Sequence, residues 1–121
     1  MPEASIPGEI IPGHEFYDYE DKYIDDRSRS VIPAELLEPV RDEIRGLAIA
    51  AFDVLGGAGF ARVDFFLERG TDRVLLNEIN SLPGFTPISM FPKMWEATGL
   101  SLPRLLDRLV RSAFRRPPRG R

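Results

Sequence analysis

Two short runs of alternating residues, six positions apart, limit most sharply what this chain can fold into. Ala61, Val63, Phe65 and Leu67 alternate with Arg62, Asp64, Phe66 and Glu68, the two-residue period of a half-buried strand. Val74 to Asn80 alternates in the same way, with Leu75 and Ile79 on one side and Glu78 and Asn80 on the other. The intervening Arg69-Gly70-Thr71-Asp72-Arg73 supplies turn residues. A hairpin symmetric about Thr71 sets Glu68 against Val74, Phe66 against Leu76, Asp64 against Glu78 and Arg62 against Asn80. Directly opposed residues share a face, so one patch collects two carboxylates, an amide oxygen and a guanidinium. A slip of one residue would scatter them.

The same pattern also fits a surface hairpin whose charged face is merely solvated. Opposed carboxylates repel, however, so a purely structural sheet gains nothing from facing Asp64 with Glu78. Oxygen donors of this kind suit Mg²⁺ or Mn²⁺, which take a few carboxylates and complete their shell with substrate phosphates. Leu82-Pro83-Gly84-Phe85 follows directly and offers backbone N–H groups near the same strand end.

Around this hairpin the spacing predicts further elements. Glu9-Ile10-Ile11 reads as a short strand and Glu15 to Tyr19 as an aromatic edge strand. Glu20 to Ser30 is crowded with charge and lacks a period, so a mobile loop is expected there. A helix opens near Pro39 with Val40, Ile44, Leu47, Ala48, Ala51 and Leu55 as its apolar stripe, and Gly56-Gly57 closes it. A short helix from Pro92 carries Trp95 and stops at Gly99. In the last helix, capped by Ser101, the stripe is Leu102, Leu105, Leu106, Leu109, Val110 and Ala113. Trp95 and the C-terminal leucines are expected in the core. The result is an α+β layer: a mainly antiparallel sheet, helices packed on one face, and the charged face open to a ligand.

At 121 residues there is room for one modest domain. It is expected over 6–114, with flexible ends at 1–5 and 115–121. A net charge of −3 gives no reason to expect nucleic acid or an anionic membrane as a partner. The absence of cysteine excludes disulfides, thiolate catalysis and Cys-ligated zinc. His14 is the single histidine and belongs to a different block from Ser89, which disfavours a nucleophilic serine. Neither a signal peptide nor a membrane-length apolar run is visible, so the chain reads as soluble and cytoplasmic.

Three blocks, in order, resemble the C-terminal part of the D-alanine–D-alanine ligases of the ATP-grasp group. They are Glu15-Phe16-Tyr17-Asp18-Tyr19-Glu20-Asp21-Lys22-Tyr23, then Glu78-Ile79-Asn80-Ser81-Leu82-Pro83-Gly84-Phe85-Thr86 with Ala61-Arg62-Val63-Asp64 upstream, and Ile88-Ser89-Met90-Phe91-Pro92-Lys93. The resemblance runs from about Ile6 to about Val110 and implies the C-terminal half of an ATP-grasp domain. It implies ATP-dependent joining of two D-alanines for peptidoglycan, through an acyl phosphate, with release of ADP and phosphate.

By that resemblance Asp64, Glu78 and Asn80 hold two Mg²⁺ or Mn²⁺ ions, and Arg62 steadies the transferring phosphoryl group. The Gly84 backbone approaches the oxyanion, while Ser89, with Met90, holds the second D-alanine. Lys22 and Tyr23 belong to a lid over the substrate. Phe16, Tyr17, Lys22, Asn77 and Glu78 serve the nucleotide. Read without it, Phe16 and Tyr17 are equally core residues, Lys22 a solvated loop residue, Pro83-Gly84 a plain turn and Ser89 a helix cap.

The chain departs from the pattern at Asp21, where alanine is usual, and at Gly57-Ala58, which replace a Cys/Ser-Arg pair. The first-substrate domain, the glycine-rich loop and lysines over the phosphates, and the acidic hinge residue of the family have no counterpart here. The expected partners are therefore ATP, D-alanine and the missing N-terminal half as a separate chain, with little activity expected alone. A non-catalytic remnant, or another ATP-grasp carboxylate–amine ligase, stays open, as do D-lactate and D-serine as acceptors.

Overall fold

Each periodic stretch becomes the element its spacing predicts, within the residues 1–12 and 29–116 described by this computed structural model. In chain order these are β1 (Glu9–Ile11), β2 (Arg29–Val31), α1 (Glu38–Val54), β3 (Arg62–Leu67), β4 (Val74–Asn80), α2 (Met90–Ala97) and α3 (Leu102–Phe114). The strands form two antiparallel pairs, β1 with β2 and β3 with β4, and the whole is α+β. Arg29 and Ser30, expected in a loop, belong instead to β2, where Ser30 pairs with Ile10 and Arg29 with Ile11. Backbone pairing to β1 overrides their lack of apolar pattern. The rest of that expected loop and the expected strand from Glu15 to Tyr19 lie outside the described residues.

The hairpin departs from symmetry in an instructive way. Arg62 pairs with Asn80 and Asp64 with Glu78, as the pattern requires. Beyond a bulge, Phe65 pairs with Leu76, Phe66 with Leu75 and Leu67 with Val74, so the expected Phe66–Leu76 and Glu68–Val74 pairs do not form. The turn imposes this shift. Glu68 N–H donates to the Arg73 carbonyl (2.9 Å), Asp72 N–H donates to the Glu68 carbonyl (3.1 Å), and Thr71 Oγ1 donates to Glu68 Oε1 (2.6 Å). A loop closed this way starts the ladder one residue out of step, and Asn77, the extra residue of the bulge, absorbs the difference. Leu75 therefore falls on the face of Phe66, Asp64 and Glu78, not beside Ile79 as expected.

Helix α1 ends in a Schellman motif. Gly57 N–H donates to the Phe52 carbonyl (2.8 Å) and Gly56 N–H to the Asp53 carbonyl (2.9 Å), with Gly56 at φ 65°. A Cβ on Gly57 would sit 2.5 Å from the Phe52 ring. Replacing Gly56 by alanine forces a side chain into the left-handed region and is expected to cost about 1 kcal/mol. Urea midpoints of the purified chain and of this variant check it; an unchanged midpoint would contradict the motif's role. Helix α2 closes alike, with Leu100 N–H on the Trp95 carbonyl (2.9 Å) and Gly99 N–H on the Glu96 carbonyl (2.9 Å). Ser101 occupies the cap position of α3 but makes no side-chain cap hydrogen bond, contrary to expectation; Pro103 at the start of the helix removes one donor that a cap would serve.

The core is thin. Phe91 and Leu105, at 5% and 3% exposure, are the buried large apolar side chains among the described residues, joined by Pro83 and Pro92. Phe60, Phe85 and Phe91 cluster with ring centroids 5.5–5.8 Å apart, Phe85 edge-on to the other two and Phe60 tilted against Phe91, tying the start of β3 to the Pro-Gly loop and to α2. Trp95 is half-buried, and Leu102, Leu106 and Val110 are exposed, so most of the expected α3 core stripe is uncovered. No residue of α1 is fully buried, and Leu47 and Leu55 of its stripe face outward. Two two-stranded sheets are too narrow to cover helices of 17 and 13 residues.

Residues 1–5, expected as a flexible end, carry several contacts. Arg45 Nη2 donates to the Ala4 carbonyl (2.9 Å), and Arg108 Nη2 meets Glu3 Oε2 (2.8 Å). On α3, Arg111 Nε donates to Asp107 Oδ2 (2.8 Å), and that hydrogen bond, with the adjacent negative charge, raises the guanidinium pKa.

Candidate active site

The matched end of the hairpin delivers the patch that the alternation predicts. Arg62, Asp64, Glu78 and Asn80 lie on one face because their backbone partners are directly opposed. Arg62 grips Asp64 with both prongs, Nε to Oδ1 at 2.8 Å and Nη2 to Oδ2 at 2.9 Å. The same Nη2 stands 4.0 Å from Glu78 Oε1, so one guanidinium lies between two carboxylates. Side chains of Arg62 and Asp64 are 24% and 29% exposed, Glu78 54%, which makes the pair partly shielded and still reachable.

Asn80 is turned to a second task. Its Oδ1 accepts the Leu82 N–H at 3.0 Å, an Asx turn that starts the Pro-Gly loop. A carbonyl oxygen has two lone pairs, so one remains for a cation. The donor set is then two carboxylates and an amide oxygen, hard ligands suited to Mg²⁺ or Mn²⁺. The residues fit such an ion, and the positive group held between Asp64 and Glu78 shows that this spot accommodates positive charge.

The loop that follows positions Gly84 and Ser89. Ser89 Oγ accepts the Thr86 N–H at 2.9 Å and lies 2.7 Å from Thr86 Oγ1, while Ser89 N–H donates to the Thr86 carbonyl at 3.0 Å. A Cβ on Gly84 would come within 2.8 Å of Ser89 Oγ, so the absence of a side chain there is what admits the serine hydroxyl. Ser89 stands at the N-cap position of α2 yet makes no side-chain cap bond, because its hydroxyl is committed to Thr86. Thr86 was not singled out as a site residue in the sequence; the three-residue spacing to Ser89 within a Pro-bounded loop was the available signal.

Arg62, Asp64, Asn77, Glu78 and Met90 line a broad cleft of about 1460 Å³, shared with apolar residues such as Phe60, Phe65 and Phe91. Asn80, Gly84 and Ser89 are not among its walls. Phe16, Tyr17, Lys22 and Tyr23 lie outside the described residues. No group of three or more His, Cys, Asp or Glu gathers among the described residues, so any cation here depends on the amide oxygen as well as the two acids. No helix among the described residues is long and apolar enough to cross a membrane.

Comparison with known proteins covers nearly the whole chain. The family model described as D-ala D-ala ligase C-terminus matches residues 1–111. The D-alanine–D-alanine ligase of Halothermothrix orenii is 60% identical over 112 residues, 93% of this chain but 32% of that protein. That of Solibacter usitatus is 54% identical over 115 residues, 95% of this chain and 35% of the relative. The solved D-alanine–D-alanine ligase of Coxiella burnetii superposes with a TM-score of 0.77 at 45% identity, covering 93% of this chain and 28% of the other. VanG D-Ala:D-Ser ligase from Enterococcus faecalis does so at 0.75 and 34% identity, covering 88% of this chain and 31% of the other. The chain spans about a third of the length of these relatives. It belongs to the D-alanine–D-alanine ligase family, as a C-terminal part of it.

Proposed function

We propose that this chain supplies the metal-holding and acceptor-holding wall of an ATP-dependent D-alanine–D-alanine ligase for peptidoglycan precursors. The reading rests above all on the register that sets Asp64 opposite Glu78 and Arg62 opposite Asn80, beside the Gly84–Ser89 loop. Forming a peptide bond from a carboxylate requires a better leaving group, which ATP provides as an acyl phosphate. The amine of the second D-alanine then attacks, and phosphate leaves from the tetrahedral intermediate.

Asp64, Glu78 and Asn80 would hold two divalent cations, whose charge would neutralise the phosphate oxygens. Arg62 neutralises charge on the transferring phosphoryl group and then on the intermediate. The Gly84 N–H faces the developing oxyanion, and Ser89, oriented by Thr86, donates its hydroxyl to the acceptor carboxylate. Asn77 and Met90 border the nucleotide and acceptor sides. Roles for Lys22 and Tyr23 toward the substrate and for Phe16 and Tyr17 toward the nucleotide belong to this proposal by family likeness alone, since all four lie outside the described residues. Use of ATP as co-substrate supports a cytoplasmic location.

The remaining wall comes from the other two-thirds of the relatives' length. We expect the purified chain to release little phosphate with ATP, Mg²⁺ and D-alanine. Fusing it behind the upstream part of the Halothermothrix orenii ligase is expected to restore turnover at ordinary enzyme rates, about 1–10³ s⁻¹. Turnover by the isolated chain at such rates overturns the need for a second wall; an inert but folded fusion overturns the catalytic assignment. A D-serine acceptor is the second reading, favoured by the likeness to a D-Ala:D-Ser ligase. Mass spectrometry of the fusion's product with both amino acids present decides between them.

A further inference from the structure

Arg62 does more in this site than wait for a phosphoryl group. Its two nitrogens occupy both oxygens of Asp64, at 2.8 and 2.9 Å, and its Nη2 is within 4.0 Å of Glu78 Oε1. Those are the oxygens a divalent cation would take. A carboxylate forked by a guanidinium has already committed its best-directed lone pairs. Two positive groups a few ångströms apart in a partly shielded site also repel strongly. A cation must therefore take the remaining, less well-directed lone pairs of Asp64 or displace the fork.

We propose that Arg62 and a divalent cation compete for Asp64: the guanidinium screens the opposed carboxylates until a cation displaces it, and the displaced side chain is delivered to the anion that the cation brings. The inference rests on the metal reading of Asp64 and Glu78. It adds that the hairpin is built as an exchange, with Arg62 as countercharge on one side of it and anion ligand on the other. The arrangement explains why Asp64 can face Glu78 across the ladder, where unscreened like charges would weaken the pairing. It also ties cation and phosphate together. A cation entering alone must break the ion pair, whereas one entering with a polyphosphate gives Arg62 a new partner at the same moment.

The test uses the purified chain and Mn²⁺ alone, with unbound Mn²⁺ read from its electron paramagnetic resonance signal and folding checked by circular dichroism. Removing the competing charge in Arg62→Gln is expected to tighten Mn²⁺ binding about tenfold, the worth of one charge-assisted hydrogen bond. Arg62→Lys, which keeps the charge and loses the fork, should fall between the two. In the unmodified chain, the ¹⁵N signal of the Arg62 Nε–H should move during a Mg²⁺ titration with the midpoint of Mg²⁺ binding. This second readout needs no variant that folds.

Equal or weaker Mn²⁺ binding in Arg62→Gln overturns the exchange. So does an Arg62 signal that stays put while Mg²⁺ binds. Folded chains, with and without Arg62, that take up no Mn²⁺ at millimolar concentration overturn the metal reading itself, and the exchange with it. Mn²⁺ binding that is unweakened in Asp64→Asn but lost in Glu78→Gln overturns the exchange and spares the metal reading, because the cation then does not need the carboxylate that Arg62 forks.

Discussion

Asp64→Asn, introduced into the fused enzyme, is expected to lower kcat by about three orders of magnitude. The substitution preserves size and leaves one acceptor oxygen, so the backbone pairing with Glu78 is undisturbed. It removes a ligand charge from the cation site and replaces the second oxygen with an amide donor facing Arg62, whose Nη2 now meets Oδ2 at 2.9 Å. Metal-held charge stabilisation of a phosphoryl transition state contributes several kcal/mol, and each 1.4 kcal/mol is about tenfold in rate. Glu68→Gln on the same hairpin is the control. Glu68 is bonded to Thr71 at 2.6 Å and to Arg73 at 3.1 Å within the turn, and it does not touch the Arg62–Asp64 pair. Its loss should leave kcat within about twofold, since exposed ion pairs contribute little. Steady-state phosphate release measures both. An Asp64→Asn enzyme within threefold of its parent would remove Asp64 from the reaction.

Phe91→Ala is expected to abolish cooperative unfolding of the isolated chain. Truncating a buried phenylalanine costs about 3–5 kcal/mol, against a total of roughly 5–15 kcal/mol for an ordinary domain. Here the margin is smaller, because Phe91 and Leu105 are the buried large apolar side chains among the described residues. Phe91 also holds the Phe60 and Phe85 rings at 5.5 Å each, so its loss frees the Pro-Gly loop from α2 and leaves the Phe60–Phe85 contact alone to tie it to the start of β3. Leu106→Ala, at a position 45% exposed, should shift the melting temperature by only a few degrees. Near-UV circular dichroism against temperature distinguishes them. A sharp transition retained in Phe91→Ala would mean that the aromatic cluster is not what closes this fold.

Large apolar side chains stand exposed at several points of this fold. Phe66, Leu82 and Phe114 are 61%, 80% and 85% exposed, values a complete small domain rarely shows for so many large side chains. The chain covers about a third of its relatives.

The alternation of Arg62, Asp64, Glu78 and Asn80 was legible because a two-residue period and a short loop fix which side chains can face one another. The bulge at Asn77 was not legible, because it arises from hydrogen bonds inside the turn, between Glu68, Thr71, Asp72 and Arg73, that no periodicity records. The helices could be placed from their stripes and their glycine stops. Their burial could not, since a stripe says which face seeks cover and nothing about whether cover exists.

By itself, then, the amino-acid order determined the elements, the hairpin face that gathers oxygen donors, and the likeness of three blocks to one ligase family. Each of these depends on residues near one another along the chain. Only the tertiary structure decided that Arg62 forks Asp64, that Ser89 Oγ accepts from Thr86 N–H beside a bare Gly84, and that three phenylalanines close the core. Those outcomes turn on side-chain rotamers and on contacts between distant segments, which compete for the same partners and are settled only when all of them are in place.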